Sequence, residues 1–326
     1  MTELKNKILS SKNIIITTHK SPDGDAIGSS LGLYHFLKKF DLNVTIIVPD
    51  SFPSFLNWME GTSEIVIHEK NEAFSTRLIE SSDLAFSLDY NGLNRIGEMG
   101  KILGNSKSYK ILIDHHQNPE SFADFSFVDT DCSSTSQLIY EFIEKLGETS
   151  KISKNIGECL YCGIMTDTGS FKYPSTTDRT HEIAASFIKK GIDVSKIHNE
   201  VYDTNSEDRL RLIGFALTEK MKVFHELGVA HIVLSQEELK RFNFKKGDTE
   251  GLVNYPLSIN GIKFSALITE KENEISLSFR SKDDVYVNEF ASKYFNGGGH
   301  IYAAGGRETT TLTETIDKLE KLLKIK

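Results

Sequence analysis

The sequence has few of the features that mark secreted, membrane-spanning or polyanion-binding proteins. Only three of its 326 residues are cysteines, too few for a disulfide framework, which fits a reducing compartment. No apolar run approaches the roughly 18–20 residues needed to cross a bilayer, and the polar N-terminal residues do not resemble a signal peptide. Basic residues number 38 against 46 acidic ones, and the net charge of −8 argues against bulk attraction to nucleic acid. We therefore expect a soluble, cytoplasmic protein that does not contact a membrane.

The first half of the chain alternates short apolar runs with helical patterns. The β-branched run Asn13–Thr18 predicts a strand, and the apolar residues that follow it recur every three or four positions, as on one face of a helix. Further strands are predicted at Val44–Val48, Glu64–His68, Leu84–Leu88 and Tyr109–Ile113, and further helices at Ser133–Leu146 and Ser153–Met165. This alternation predicts an α/β fold with a mainly parallel sheet flanked by helices, which binds ligands at the carboxyl ends of its strands.

The second half predicts a smaller α/β domain. Strands are predicted at Val229–Leu234, Lys263–Thr269 and Glu274–Arg280, the last two joined as a hairpin, and Leu312–Ile325 predicts a closing amphipathic helix. Together the two halves predict a domain over residues 1–190, a helical linker over residues 191–217 with its helix near residues 203–211, and a domain over residues 218–326.

Three residues capable of binding a metal lie between the first predicted strand and the first predicted helix. These are His19, Asp23 and Asp25, in a turn that Pro22 and Gly24 favour. Taken alone, either aspartate would more often be a turn or helix-capping residue, with Asp25 as the N-cap. A turn requires neither the histidine nor a second carboxylate, so the three residues together favour a metal site.

Other acids and imidazoles follow apolar runs in the same half of the chain. Asp114, His115 and His116 follow the strand that begins at Tyr109, while Asp89 and Asp167 each end a run of their own. Singly, each of these aspartates is more often a turn residue. The combined set of five carboxylates and three imidazoles could ligate two metal ions about 3.5–4 Å apart. Mixed ligation without thiolates suits manganese, with magnesium, cobalt or iron as lesser candidates.

The order of these residues resembles the four motifs of the DHH phosphoesterase superfamily. A glycine-rich segment, Gly297-Gly298-Gly299-His300 followed by Ala303-Ala304-Gly305, resembles the signature of the DHH-associated domain, so the resemblance covers nearly the whole chain. At this length the chain is most similar to the stand-alone NrnA-type group of nanoRNases and pAp phosphatases. Exonucleases of the RecJ type are close relatives with additional nucleic-acid-binding domains.

The resemblance implies a role for each residue of the metal motifs. It assigns His19 and Asp23 to one manganese ion, Asp25, His115 and Asp167 to the other, and Asp89 to a bridge between the two ions. Asp114 and His116 are implied to be catalytic. Asp114 would orient an imidazole, and His116 would contact the scissile phosphate or donate a proton to the leaving oxygen. Gly28 and Ser29 would let the start of the helix approach the ions.

Substrate contacts are expected in the second half of the chain. The glycine cluster would offer backbone N–H groups to a phosphate, His300 would contact that phosphate, and Arg280 with Ser281 would form a second clamp. The ordinary alternatives are a flexible glycine loop and a solvated arginine. The segment Phe171–Thr177 could stack a base, although such segments are more often packed loops. Cys159 and Cys162 lack a second cysteine pair, so we interpret them as core residues.

These expectations lead to a manganese-dependent phosphodiesterase and phosphatase. It would hydrolyse short oligoribonucleotides, with pAp as a further candidate substrate, by means of a water activated by two metal ions. Hydrolysis of cyclic di-AMP or pApA is the alternative. Inorganic pyrophosphatase is less favoured, because the Ser-Arg-Lys-Lys signature of that family is absent, and a non-catalytic module is disfavoured because no expected ligand is missing. The expected partners are short RNA or dinucleotides rather than long duplexes, and a homodimer remains open.

Overall fold

The computed structural model describes residues 1–324, and the chain divides into two compact units after Thr204. The helices and strands of the first unit are α1 (Thr2–Ser10), β1 (Ile14–Thr18), α2 (Gly24–Lys38), β2 (Val44–Val48), β3 (Val66–Ile67), α3 (Glu72–Glu80), β4 (Leu84–Leu88), α4 (Glu98–Asn105), β5 (Tyr109–Asp114), β6 (Phe125–Val128), α5 (Thr135–Lys145), α6 (Lys154–Asp167), α7 (Asp178–Lys189) and α8 (Val194–Tyr202). Its six strands form one parallel sheet in the order β3-β2-β1-β4-β5-β6.

The central strands of this sheet are buried on both faces. Every residue of β1 and β4 is buried, as the continuous apolar runs predicted, and the core includes Ile16, Phe86 and Ile111. Because β1, β4 and β5 are neighbours and parallel, their carboxyl ends meet at the same edge. The predicted α/β class and parallel sheet are therefore confirmed.

The second unit has a separate sheet of mixed direction. Its elements are α9 (Glu207–Phe215), β7 (Met221–Phe224), β8 (Val229–Leu234), α10 (Gln236–Arg241), β9 (Phe264–Glu270), β10 (Ile275–Ser281), α11 (Val287–Tyr294), β11 (Gly298–His300), β12 (Ala303–Glu308) and α12 (Leu312–Leu322). The strand order is β11-β12-β10-β9-β8-β7, and among the described strands of this second sheet only the β8–β9 pair is parallel. The predicted hairpin is the antiparallel β9–β10 pair.

Several local predictions require correction. The strand predicted at Glu64–His68 contains only Val66 and Ile67, because it pairs at the sheet edge with just two residues of β2 and the flanking residues form 3-10 turns. The connecting helix predicted near residues 203–211 begins later than expected. Helix α8 ends at Tyr202, and the next helix, α9, begins at Glu207 after its N-cap Ser206, whose hydroxyl oxygen accepts from the Arg209 N–H. Of the predicted closing helix, Ile325 lies outside the described residues.

The predicted linker is shared between the two units. Ile197 and Val201 of α8 belong to the core of the first unit, whereas Leu212 of α9 packs in the core of the second. Cys159 and Cys162 are buried, unpaired core residues of α6, as predicted. Within residues 1–324 there is no helix with both the length and the apolar character to span a bilayer.

The glycines of α2 allow this helix to pack closely against α6. A Cβ atom added at Gly28 would lie 2.6 Å from the carbonyl oxygen of Cys159 and 2.9 Å from the backbone N of Gly163. A Cβ at Gly32 would lie 2.4 Å from Leu160. The small residue at position 28, in the second turn of α2, therefore admits the backbone of α6.

We predict that Gly28→Ala lowers the free energy of unfolding by about 1–3 kcal/mol, because the new methyl group would overlap backbone atoms that cannot rotate away. Urea denaturation followed by circular dichroism measures this loss. Gly104→Ala in α4 is the matched control, because the added atom would approach only Leu93 Cδ1, at 3.1 Å, the end of a flexible side chain. The control should be neutral or slightly stabilising. Equal losses in the two variants would contradict the close packing.

Candidate metal centre

The eight residues predicted for the metal site lie together at the carboxyl edge of the first sheet. His19 follows β1, Asp89 follows β4, Asp114 is the last residue of β5, and Asp167 is the last residue of α6. The remaining residues are Asp23 and Asp25 at the start of α2, and His115 and His116 after β5. Only Asp23 and Asp167 among the eight are not buried. Parallel strand ends and one helix start thus supply the whole set.

Asp89 lies at the centre of the cluster. Its Oδ2 is 3.3 Å from His19 Nε2, and its Oδ1 is 3.5 Å from His115 Nε2. Three groups of potential ligand atoms include it, His19-Asp23-Asp89, Asp25-Asp89-His115 and Asp89-Asp114-His116, and within each group all atoms lie within 4.8 Å of one another. Asp89 has a left-handed backbone, with φ of +63°, which aspartate tolerates better than most residues. A single carboxylate therefore faces both halves of the site.

The backbone fixes the orientation of two imidazoles. The Nδ1 atom of His19 lies 3.0 Å from the carbonyl oxygen of Lys20, and that of His115 lies 3.1 Å from the carbonyl oxygen of Cys132. A carbonyl oxygen only accepts, so each Nδ1 carries the proton and donates it. The Nε2 atoms of His19 and His115 therefore face the carboxylate of Asp89. This arrangement is typical of histidines that ligate a metal through Nε2.

The start of α2 was predicted with Asp25 as the capping alternative, but Asp23 is the N-cap. The Oδ1 atom of Asp23 accepts from the backbone N–H groups of Asp25 and Ala26, each at 3.0 Å. Asp25 is itself buried and accepts from two other backbone groups, Thr135 N–H at 2.7 Å and Ser136 N–H at 2.9 Å. Both predicted ligands are thus held rigidly by backbone donors.

Asp114 and His116 form a pair beside the cluster. Asp114 is fully buried, and its Oδ1 accepts from His116 Nδ1 at 2.7 Å. His116 Nδ1 also lies 3.8 Å from Asp89 Oδ1. The imidazole that Asp114 orients is therefore that of His116, whereas the ring of His115 is oriented by a backbone carbonyl. This gives the two adjacent histidines different surroundings.

The crowding of charges shifts the pKa values of these groups in opposite directions. Burial, together with the charges of Asp89 and Asp167, raises the pKa of Asp25 well above its usual value. Burial would also raise the pKa of Asp89, but hydrogen bonds from His115 and His19 hold it well below its usual value. Burial raises the pKa of Asp167 to about 6 against the opposing charge of His115, although 28% of its side-chain surface reaches solvent.

The two histidines that face Asp89 are shifted upward. Burial alone would lower the pKa of His19, but the hydrogen bond with Asp89 and the charge of Asp23 raise it to about 9. Burial likewise opposes protonation of His115, while Asp89 and Asp167 raise its pKa well above the usual value. Protons on these imidazoles are the counter-charges of the buried carboxylates in the metal-free protein.

The donor set fits divalent cations. Among ion pairs of residues 1–324, Asp89, Asp114 and Asp167 pair with histidines, and no lysine or arginine pairs with any of them or with Asp25. Buried carboxylates of this number are costly without cations. Oxygen and imidazole nitrogen donors without thiolate suit manganese and related ions. The residues present could therefore hold one or two such ions.

The predicted substrate contacts are in the second unit. Arg280 of β10 pairs with Ala303 of β12, which also pairs with His300 of β11, so the three side chains lie in one row on the same face of the sheet. Ser281 is one position further along and faces the other way. It is buried, and its hydroxyl donates to the carbonyl oxygen of Val285 at 2.6 Å. Arg280 and His300 are thus brought together, and Ser281 is not.

Gly298 and Gly299 of the glycine cluster lie in strand β11, at the sheet edge, and Gly297 directly precedes that strand. A Cβ atom at Gly297 would lie 1.9 Å from the carbonyl oxygen of Gly305, and one at Gly299, where φ is +145°, would lie 2.5 Å from that of Ala303. These two glycines are required for close pairing with β12. Phe171, the predicted base-stacking candidate, packs in the first unit between the rings of Tyr161 and His181.

Sequence reasoning missed the residues that support the site. The loop after β1 is held by Asp50, whose Oδ1 accepts from Ser21 N–H at 2.6 Å, and by the carbonyl oxygen of Arg95, which accepts from Lys20 N–H at 2.8 Å. Thr135 contacts both Asp25 and Asp89. The run of small hydroxyl residues from Ser133 to Ser136, at the start of a predicted helix, is the one sequence signal that could have identified it.

Two family models match the chain, one in each of its two compact units. The model of the DHH family, N-terminal domain, matches residues 13–164, and that of the DHHA1 domain matches residues 228–325. The bifunctional oligoribonuclease and PAP phosphatase NrnA of Bacillus subtilis is 31% identical over 93% of this chain and 92% of its own length. The cyclic-di-AMP phosphodiesterase PdeA of Listeria monocytogenes is 25% identical over 98% of this chain but 48% of its own length.

A solved structure shares the fold over nearly the whole chain. The crystal structure of an exopolyphosphatase-related protein from Bacteroides fragilis is 43% identical, with a TM-score of 0.93, and the match covers 99% of this chain and 95% of that one. Both family domains are present, in the order expected, and the related enzyme of B. subtilis matches across both. The chain is a hydrolytic phosphoesterase of the DHH family with a C-terminal DHHA1 domain.

Proposed function

We propose that this phosphoesterase uses two manganese ions, bridged by Asp89, to hydrolyse short oligoribonucleotides and pAp. The observation that carries the proposal is that two of the three groups of potential ligand atoms that contain Asp89 lie on different sides of it, one with His19 and Asp23 and the other with Asp25 and His115. Asp167 completes the second group, since its Oδ2 lies 3.4 Å from His115 Nε2. Bound ions would activate a water and neutralise the negative charge that develops on the phosphoryl group.

The protein's own groups orient the substrate and handle its protons. Asp114 holds His116 through Nδ1, so we assign the contact with the scissile phosphate to Nε2 of that ring. In its protonated form His116 would donate a proton to the leaving oxygen. The buried Asp114 fixes the orientation of the ring through this hydrogen bond, so the same pair serves both binding and proton transfer.

A short substrate is supported by the charge distribution and by the relatives. The net charge of −8 argues against binding of a long polyanion by a broad basic surface. The row formed by Arg280 and His300 on the second sheet would hold one phosphate group. The B. subtilis relative, which matches nearly the whole chain, is named an oligoribonuclease and PAP phosphatase. Hydrolysis of cyclic di-AMP has weaker support, because the Listeria relative is less similar and twice as long.

The substrate class is tested by comparing initial rates with a five-nucleotide RNA, pApA, pAp and cyclic di-AMP in the presence of Mn²⁺. We expect the fastest hydrolysis with the RNA and with pAp, and slower hydrolysis of pApA, which belongs to the alternative function. Cyclic di-AMP should react slowest, because it has no terminal phosphate for Arg280 and His300. Preferred hydrolysis of cyclic di-AMP would instead support the alternative function. Failure to hydrolyse any of the four would refute the proposal.

We predict that Asp89→Asn reduces Mn²⁺-dependent turnover by at least roughly 10²–10³-fold, the cost of losing one major electrostatic contribution at a reacting centre. Asparagine also tolerates the left-handed backbone at this position, so the fold should be retained. Asp41→Asn is the matched control, because Asp41 is also left-handed, with φ of +56°, but is exposed and outside the cluster. Steady-state kinetics and circular dichroism check both variants. Near-normal turnover of Asp89→Asn would rule out the bridging role.

Metal binding should release protons near pH 7. In the metal-free protein the pKa of His19 is raised to about 9 and that of His115 lies well above its usual value, so both imidazoles are protonated at pH 7. A metal ligand must be a neutral imidazole, so binding displaces these protons. Calorimetric titration with Mn²⁺ in buffers of different ionisation enthalpy counts them. We expect release that decreases above pH 9, whereas a buffer-independent enthalpy at pH 7 would contradict this assignment.

A further inference from the structure

Thr135, the first residue of α5, contacts two of the central carboxylates at once. It is fully buried. Its side-chain Oγ1 donates to Asp89 Oδ1 at 3.0 Å, and its backbone N–H donates to Asp25 Oδ2 at 2.7 Å. We propose that Thr135 is a positioning residue that fixes these two carboxylates relative to each other. The inference rests on the proposed function, in which Asp89 bridges two ions and Asp25 ligates one of them.

The start of α5 is arranged so that its amide groups are directed to Asp25. The first N–H groups of a helix have no partner within the helix. Here Ser134 is the N-cap, and its hydroxyl oxygen accepts from the N–H of Gln137. The N–H groups of Thr135 and Ser136 instead bind one oxygen each of Asp25. The positive end of the helix therefore holds this carboxylate in one orientation.

The hydroxyl of Thr135 fixes the orientation of the Asp89 carboxylate through a side-chain hydrogen bond. The last torsion of an aspartate side chain has a broad energy minimum, so packing alone sets it weakly. The Oδ2 atom of Asp89 faces His19, and its Oδ1 faces His115 while also accepting from Thr135. This hydrogen bond resists rotation of the carboxylate and keeps one oxygen toward each imidazole. Loss of the hydroxyl would therefore weaken the bridge without removing any ligand.

The test compares variants at position 135 that keep the backbone N–H and differ in the hydroxyl. Thr135→Val preserves the shape but removes the donor, and Thr135→Ser preserves the donor. Titration with Mn²⁺, with the free ion measured by electron paramagnetic resonance, gives affinity and stoichiometry independently of turnover. We expect Thr135→Val to weaken metal binding roughly 10- to 100-fold. It should also lose the signal of exchange-coupled ions, and Thr135→Ser should restore both properties.

The melting temperature of each variant separates positioning from simple stabilisation. Equal Mn²⁺ affinity and coupling in the wild type and Thr135→Val would overturn the inference, as would a serine variant as impaired as the valine variant. Should Thr135→Val fail to fold, Thr135→Ala removes the same hydroxyl from a position where alanine favours the helix. A wild-type protein that binds no second ion refutes the proposed function itself, and the inference with it. A wild type with two coupled ions and an unaffected valine variant refutes only the role of Thr135.

Discussion

The structure of the site depends on one carboxylate shared between two imidazoles. Asp89 lies at the end of β4, the strand between β1 and β5, and so it lies between His19 and His115, which follow those two strands. A buried carboxylate is costly without a compensating charge. Protonated histidines supply this charge in the metal-free protein, and divalent ions would replace the protons. The pKa of Asp25 is raised and that of Asp89 is lowered because both carboxylates lie among the same closely spaced charged groups.

The surrounding scaffold restricts this cluster from several directions. The N-terminus of α2 holds Asp23, the N-terminus of α5 holds Asp25, and backbone carbonyl groups orient His19 and His115. Close packing of α2 against α6 adds Asp167 from the end of the second helix, and Gly28 makes that approach sterically possible. Helices and strands of one parallel unit thus converge on one edge, as this class of sheet favours.

The sequence predicted the parts of the structure that depend on local pattern. Continuous apolar runs predicted the buried strands β1, β4 and β5, and acids or histidines at their ends predicted which residues converge. Features that depend on distant partners were not predicted. The role of Gly28 is set by Cys159, more than a hundred residues away, and the contact of Thr135 with Asp89 spans 46 positions. The glycine-rich segment became a strand because Gly305 and Ala303 lie against it.

We propose that Asp89 would bridge two manganese ions, and this bridge can be observed directly. Crystals grown with Mn²⁺ and measured at the manganese absorption edge would locate the ions by their anomalous scattering. We expect two peaks about 3.5–4 Å apart, one beside His19 and Asp23 and the other beside Asp25 and His115, with one oxygen of Asp89 directed to each. A single peak, or two peaks that do not share Asp89, would contradict the bridging role of Asp89.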